Sequence, residues 1–284
     1  MIHNRHSRRH ARRCIEFLQF NLVQGVRNMN LPVNTFKHAI LSGKTQLGCW
    51  SGLSSHITVE VLANAGFDWL LLDTEHSPNE LPMVHSQLQA ISQGSAHPIV
   101  RPAWNDTVII KRLLDIGAQT LLIPFVQDAE EARRAVAATR YPPLGVRGYS
   151  AAARASDYGR VKEYAKRCEE ELCVLVQVET PQAIANIEEI AAVDGVDGIF
   201  IGPGDLAASM GHIGNPKHPE VVAAIEQAIR RIKACGKPAG ILSPDEGMAH
   251  HYIGIGSTFT AVGSDIGILA RNAEALAGRF KQPQ

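Results

Sequence analysis

Cys173-Val-Leu-Val-Gln-Val-Glu179, a helical stretch opening near Pro181, then Gly198-Ile-Phe-Ile-Gly202 with a helix opening at Leu206, form a strand, a crossover and a second strand. Parallel neighbours need such a crossover, and the unbroken apolar character of both runs suits strands buried on both faces. The same unit recurs on either side. Strand-like runs fall at residues 46–50, 67–73, 97–101, 120–126, 238–242 and 258–263. Helical stretches fall at 57–64, 80–92, 107–116 and 128–139, the last with Asp128 as its N-cap. Eight strands separated by helices predict an α/β fold, a closed TIM (β/α)8 barrel. A doubly wound open sheet would produce a similar pattern. One connection, 141–171, is long. Pro142-Pro143, Gly145 and Gly148 read as loop and 158–170 as an extra helix, an excursion expected to pass over the top of the barrel and help build a pocket.

The remaining organisation is simple. Residues 1–28 carry Arg5, Arg8, Arg9, Arg12 and Arg13 before the first acid, Glu16. They read as an N-terminal extension outside the barrel domain of 29–284, and as a redundant start ahead of Met29 in preference to a presequence or an RNA-binding arm. Twenty-eight Lys+Arg balance 28 Asp+Glu, so no nucleic-acid partner is expected. No apolar run approaches the roughly 18 residues of a membrane span. Cys14, Cys49, Cys168, Cys173 and Cys235 form an odd set with no C-x-x-C pair, which points to a reducing, cytoplasmic setting.

Chemistry in such a barrel sits at the carboxyl ends of the strands. Asp73-Thr74-Glu75-His76 ends the second strand, Arg101 the third, Gln177 and Glu179 the fifth, Gly202-Pro203-Gly204-Asp205 the sixth, and Trp50 closes the first. Glu179 and Asp205, on adjacent strand ends, make an oxygen-rich site for Mg²⁺, Mn²⁺ or Co²⁺. Each has a plainer alternative as a helix cap: Glu179 for the helix near Pro181, Asp205 for the one at Leu206. His76 beside two carboxylates is a candidate acid/base. The fork of Arg101 suits a carboxylate or a developing enolate oxygen, or else a structural ion pair. No lysine falls at a strand's carboxyl end, so a Schiff-base nucleophile is not expected. Gly202 to Ala207 fits a dinucleotide fingerprint in form, but no acid ends the following strand. His212, His218, His250 and His251 lack the spacing of a zinc helix and read as surface residues.

These residues resemble the HpcH/HpaI family of metal-dependent pyruvate aldolases. The resemblance is carried by Phe67 to His76, by Val100-Arg101-Pro102-Ala103-Trp104-Asn105-Asp106, by Val176 to Glu179, by Ile201 to Leu206 and by Ala261 to Asp265. The run Trp104-Asn105-Asp106 brings it nearest to members acting on 4-hydroxy-2-oxoheptane-1,7-dioate, rather than to rhamnonate-type members that cleave 2-keto-3-deoxy sugar acids. The resemblance implies reversible cleavage of a 4-hydroxy-2-oxo acid to pyruvate and an aldehyde. It also implies a divalent metal on Glu179 and Asp205, an Asp73–His76 dyad, and Arg101 on the enolate oxygen. Gln177, the Gly202–Gly204 amides and Trp50 are implied around the substrate. A homohexamer is implied in which a neighbouring chain helps close the pocket, making Leu242 and Asp115 weaker candidates. Gly204 stands where many relatives carry Ala, and Thr74 where many carry Gly, departures expected to alter pocket width.

Overall fold

The computed structural model describes residues 30–281, so the reading of residues 1–28 lies outside the described residues. Eight parallel strands close in sequence order: β1 (Gln46–Ser51), β2 (Trp69–Asp73), β3 (His97–Arg101), β4 (Thr120–Ile123), β5 (Cys173–Val178), β6 (Gly198–Ile201), β7 (Ala239–Leu242) and β8 (Ser257–Ser264), the last pairing with β1. All eight expected runs are strands, trimmed or extended by a few residues at their ends. The barrel is the closed form; the open-sheet alternative is gone.

Side chains alternate along each strand, and the alternation separates two cores. Trp69, Leu71, Ile99, Leu122, Leu175, Phe200 and Phe259 point into the barrel as one apolar cluster. Leu70, Leu72, Val100, Leu121, Val176, Ile199 and Ile201 point outward against the helices as another. The interior is crowded enough to dictate its neighbours. A Cβ at position 48 would lie 2.1 Å from the Trp69 indole, so only glycine fits there.

A short helix unforeseen in the sequence, α1 (Thr35–Leu41), closes the amino-terminal end of the barrel. Asn34 caps it by accepting the Lys37 N–H at 2.8 Å, and its Phe36 and Ile40 are inserted among the interior side chains. The Phe36 ring meets Trp69 and Phe259 edge-on, with centroids 6.1 and 5.8 Å apart. With this floor sealed by apolar packing, the carboxyl ends of the strands form the open mouth.

Two expectations about 141–171 are corrected. The stretch 158–170 is not one helix; only Tyr164–Arg167 is α-helical, followed by a 3₁₀ turn at Cys168–Glu170. Asp157, Tyr158, Gly159 and Glu163 take φ of 47°, 55°, 84° and 61°, left-handed values that no continuous helix tolerates. Nor does the excursion cross the mouth. It joins the carboxyl end of the helix Ala129–Thr139 to the start of β5, so chain polarity puts it under the floor. There Arg154 donates to the Ile116 carbonyl at 2.8 Å, and Asn34 donates to the Glu171 carbonyl at 2.9 Å. The pocket it builds, about 440 Å³ between Leu31, Leu88, Ala118, Arg154, Tyr158 and Tyr164, lies on that lower side.

Candidate active site

The inward parity of each strand runs on past the apolar interior and changes chemistry at the mouth. Trp69 and Leu71 are followed by Asp73, Ile99 by Arg101, Cys173 and Leu175 by Gln177 and Glu179, and Phe200 by Gly202. Asp73 and Arg101 are register partners across β2 and β3. The arginine grips the aspartate with both arms, Nε to Oδ1 at 2.9 Å and Nη2 to Oδ2 at 2.7 Å. Its third nitrogen, Nη1, lies 2.8 Å from Glu75 Oε2. Below it, the guanidinium carbon stands 5.0 Å from the centre of the Trp50 ring. Trp50 in turn donates its indole N–H to Asp73 Oδ2 at 3.3 Å.

This arrangement revises the Asp73–His76 dyad. Asp73 is filled by Arg101, Trp50 and the Glu75 backbone N–H at 3.0 Å, and reaches His76 only at its backbone nitrogen, 3.5 Å away. The exposed His76 ring instead faces Glu75, with Nε2 3.8 Å from Oε1. Burial raises the Asp73 pKa, but the Arg101 hydrogen bonds and charge outweigh it and hold the carboxyl below its ordinary value. Glu75 goes the other way. Burial and the like charges of Asp73 and Asp205 raise it, against the pull of Arg101 and His76. The carboxylate that the His76 ring faces is therefore Glu75, which sequence reasoning placed at the mouth without giving it a role.

Glu179 is buried, 1% exposed. It is not a cap: Thr180 caps the helix Pro181–Ala185, accepting from the Ala183 N–H at 3.1 Å. Its Oε1 accepts the Phe125 N–H at 2.9 Å, and Oε2 accepts from Gln177 Nε2 in a short bond. Burial above all, with Asp205 and Glu75 as like charges, pushes its pKa up to about 7 despite those donors. Asp205 is no cap either. The helix Pro203–Ser209 begins two residues earlier with Gly202 as N-cap, and Asp205 sits in its first turn. Gly202 is required by closeness: a Cβ there would lie 2.1 Å from Glu179 Oε2 and 2.9 Å from Gln177 Nε2.

Among the described residues Gln177 Oε1 is buried with no hydrogen-bond partner. A buried carboxylate that feels the charge of two others, beside an orphaned carbonyl oxygen, offers oxygen donors of the kind a hard divalent cation or its bound water takes, although the three carboxylates are not drawn within 4.8 Å of one another. The Gly202–Gly204 amides are fewer than expected. Gly202 N–H is spent on the Val178 carbonyl at 3.1 Å and Pro203 has none, which leaves Gly204 and Asp205 in the first turn. Leu242 lies at the end of β7 and packs on the interior cluster that holds Trp50.

The two departures behave differently. A Cβ at Gly204 meets nothing within 4 Å, so glycine there widens nothing by relief of a clash. Thr74 ties the strand ends together, its hydroxyl donating to the Arg101 carbonyl at 2.6 Å. Asp115 is outside this mouth: it ends the helix Thr107–Asp115 on the floor side and pairs with the buried Arg147 at 2.9 Å. Sequence reasoning gave no role to Asp265. Its carboxylate accepts from Ser51 Oγ (3.0 Å), Gly52 N (2.9 Å) and Leu53 N (3.1 Å), fastening the loop after β1 to the end of β8.

Outside the mouth, His212 and His218 are half-buried and stacked, with ring centroids 3.5 Å apart, and with Glu220 they could form a three-ligand cluster. Lys237 donates to the Val196 carbonyl at 2.6 Å, far from the strand ends that carry the carboxylates. No described helix is long and apolar enough to cross a membrane.

Comparison with known proteins agrees with the geometry. Residues 46–272 match the family model described as HpcH/HpaI aldolase/citrate lyase. The chain is 60% identical over 252 residues to a pyruvate aldolase of Rhizobium etli, covering 89% of this chain and 99% of that protein. It is 58% identical over 248 residues to a 4-hydroxy-2-oxo-heptane-1,7-dioate aldolase of Klebsiella pneumoniae, covering 87% and 94%. A crystal structure of an HpcH/HpaI aldolase/citrate lyase family protein from Burkholderia cenocepacia superposes with a TM-score of 0.85 at 35% identity, covering 88% of this chain and all of that one. A (β/α)8 barrel with buried carboxylates at its mouth, matched over most of its length, belongs to the HpcH/HpaI aldolase/citrate lyase family.

Proposed function

We propose that this barrel is a divalent-metal-dependent aldolase, a carbon–carbon lyase that reversibly cleaves a 4-hydroxy-2-oxo acid to pyruvate and an aldehyde. 4-Hydroxy-2-oxoheptane-1,7-dioate, the compound named for close relatives, is the first substrate to try, with 2-keto-3-deoxy sugar acids as the alternative. The observation that carries the reading is the buried Glu179, close enough to Asp205 and Glu75 to feel their charge and adjoining the unpaired Gln177 Oε1. Glu179 and Asp205 would hold the cation, with Gln177 toward its water. When bound, a Mg²⁺, Mn²⁺ or Co²⁺ ion supplies Lewis-acid polarisation of the 2-oxo group.

The chain's own residues supply the rest. Arg101 is held by Asp73 and the Trp50 face, and the Nη hydrogens not taken by Asp73 and Glu75 would serve the ketone oxygen as it gains charge. A donor already oriented needs no reorganisation when that charge develops. His76, exposed and backed by Glu75, takes the C4 hydroxyl proton as the C3–C4 bond breaks and can return it in the condensation direction. Trp50 and Leu242 form apolar walls, and the Gly204 amide is left for the substrate carboxylate. The small-molecule partners are thus a 2-oxo acid and an aldehyde, and the reading places the enzyme in the cytoplasm. It also includes a homohexamer: the helix Asp265–Lys281 leaves the barrel wall with Ile266, Ile268, Leu269, Leu276 and Phe280 exposed, an apolar face suited to another copy.

The test is exchange of pyruvate methyl protons in D₂O. Exchange is expected to stop on complete chelation, to return with each of the three metals, and to be lost in Glu179→Gln. Exchange that survives chelation excludes the metal-dependent mechanism.

A further inference from the structure

We propose that His212, His218 and Glu220 form a second metal site, apart from Glu179 and Asp205, and that it takes a borderline transition-metal ion such as Zn²⁺. The site stands whether or not the barrel cleaves a 2-oxo acid. Its ligands come from the connection 210–218, which follows the helix Pro203–Ser209, and from the first turn of the helix Pro219–Ala234. That helix runs down to the start of β7, so its first turn lies on the rim of the mouth. Each residue offers one ligand atom, and the three atoms lie within 4.8 Å of one another.

Successive turns bring these residues together. Gly211 and Gly214 take φ of 84° and 77° on either side of His212. The Asn215 N–H bonds the His212 carbonyl at 2.9 Å, and the His218 N–H bonds the Asn215 carbonyl at 3.0 Å. The two imidazoles meet face to face, 14° from parallel. A spacing of six residues would set them on different sides of a helix, which is why the sequence shows no zinc pattern here. Folded through two turns, the same spacing stacks them.

Each histidine has a local task that occupies one ring nitrogen. His212 Nε2 lies 3.0 Å from Glu220 Oε2, and His218 Nδ1 accepts the Glu220 N–H at 3.3 Å as the helix N-cap. Neither task requires the rings to touch. Lys217, the one ammonium in this connection, is turned to Asp245 at 2.6 Å and leaves the Glu220 carboxylate to the histidines. Two imidazoles and a carboxylate suit Zn²⁺, Ni²⁺ or Cu²⁺, with a position left for water, whereas the oxygen donors of the mouth suit harder ions. Ligand atoms about 2.0–2.1 Å from one ion stand roughly 3.4 Å apart, so one imidazole turns out of the stack to close the site. The Glu220 side chain, 70% exposed, is free to follow. A bound ion would staple the connection 210–218 to the helix Pro219–Ala234, next to the helix that carries Asp205.

The experiment is equilibrium dialysis of the full chain against Zn²⁺ in excess Mg²⁺, with thermal melting followed in parallel. Each variant is compared with its parent, so that zinc held elsewhere cancels. His212→Gln should bind one equivalent fewer than the unaltered chain. Glu179→Gln should still hold the equivalent that adding His212→Gln removes, which separates the rim from the mouth. His218→Ala and His218→Asn should both weaken that equivalent by more than the roughly 10- to 100-fold typical of losing a supporting contact. Asparagine restores the helix cap, so only His218→Ala should also melt at a lower temperature without zinc. Added Zn²⁺ should raise the melting temperature of the unaltered chain more than that of His212→Gln. The site is excluded if His212→Gln binds as much zinc as the unaltered chain, if the equivalent it removes is already missing from Glu179→Gln, or if His218→Asn keeps full affinity.

Discussion

Gly202 and Arg101 show how far single residues control this mouth. Alanine at 202 would set a methyl 2.1 Å from a Glu179 oxygen, so the carboxylate must turn away. Gly202→Ala should weaken Mn²⁺ affinity by about 10- to 100-fold, measured by calorimetric titration. Arg101→Ala should lower turnover to pyruvate by about 10²- to 10³-fold if the guanidinium stabilises developing negative charge. It also leaves the buried Asp73 and the half-buried Glu75 without their cation, a loss of about 3–5 kcal/mol in unfolding free energy that urea denaturation would reveal separately. Arg101→Lys rescues little, because an ammonium cannot grip Asp73 with two arms and still meet Glu75. Arg101, Glu179 and Asp205 were legible as strand-end polar groups. The partner of His76 was not, since Asp73 and Glu75 both neighbour it in sequence and only the fork of Arg101, filling Asp73, separates them.

Elements were legible where sequence alone sets their period. Gly198-Ile-Phe-Ile admits little besides a buried strand, and Asp128 does cap its helix, accepting the Glu131 N–H at 2.9 Å. The excursion from 141 to 171 was misplaced because its length is visible in sequence while the side it occupies depends on chain direction, helix to strand and not strand to helix. Helix α1 was missed because seven residues carry too little periodicity; its stability comes from Phe36 and Ile40 inside the barrel. At the same end, His97 of β3 is buried against Phe36, with ring centroids 5.8 Å apart, and its Nε2 is 2.9 Å from Thr120 Oγ1. Burial lowers its pKa from 6.5 to about 4. The unfolded chain therefore binds this proton more readily than the folded one. Stability from the neutral ring is complete above pH about 6.5 and declines as the pH falls toward about 4, by roughly 3 kcal/mol in all. Urea midpoints at pH 7.5 and 4.5 should show that decline in the unaltered chain and a smaller one in His97→Gln.

At the scale of the molecule, one end of the barrel is stoppered by aromatic packing and the other gathers acids around a single arginine. The apolar face of the helix Asp265–Lys281 predicts association: removal of the helix beyond Ala270 should lower the mass found by light scattering, while the full chain gives a multiple of 30.8 kDa. The long excursion, with Arg147 and Asp115, lies beneath the chain's own floor. If Asp115 contributes to the reaction, as the proposed hexamer has it, the mouth it serves is that of another copy. On the hexamer reading Asp115→Asn should lose activity as Glu179→Gln does, and the two variants unfolded, blended and refolded together should regain part of it, because some interfaces would pair an intact cup with an intact cover; an Asp115→Asn enzyme of full activity removes that role.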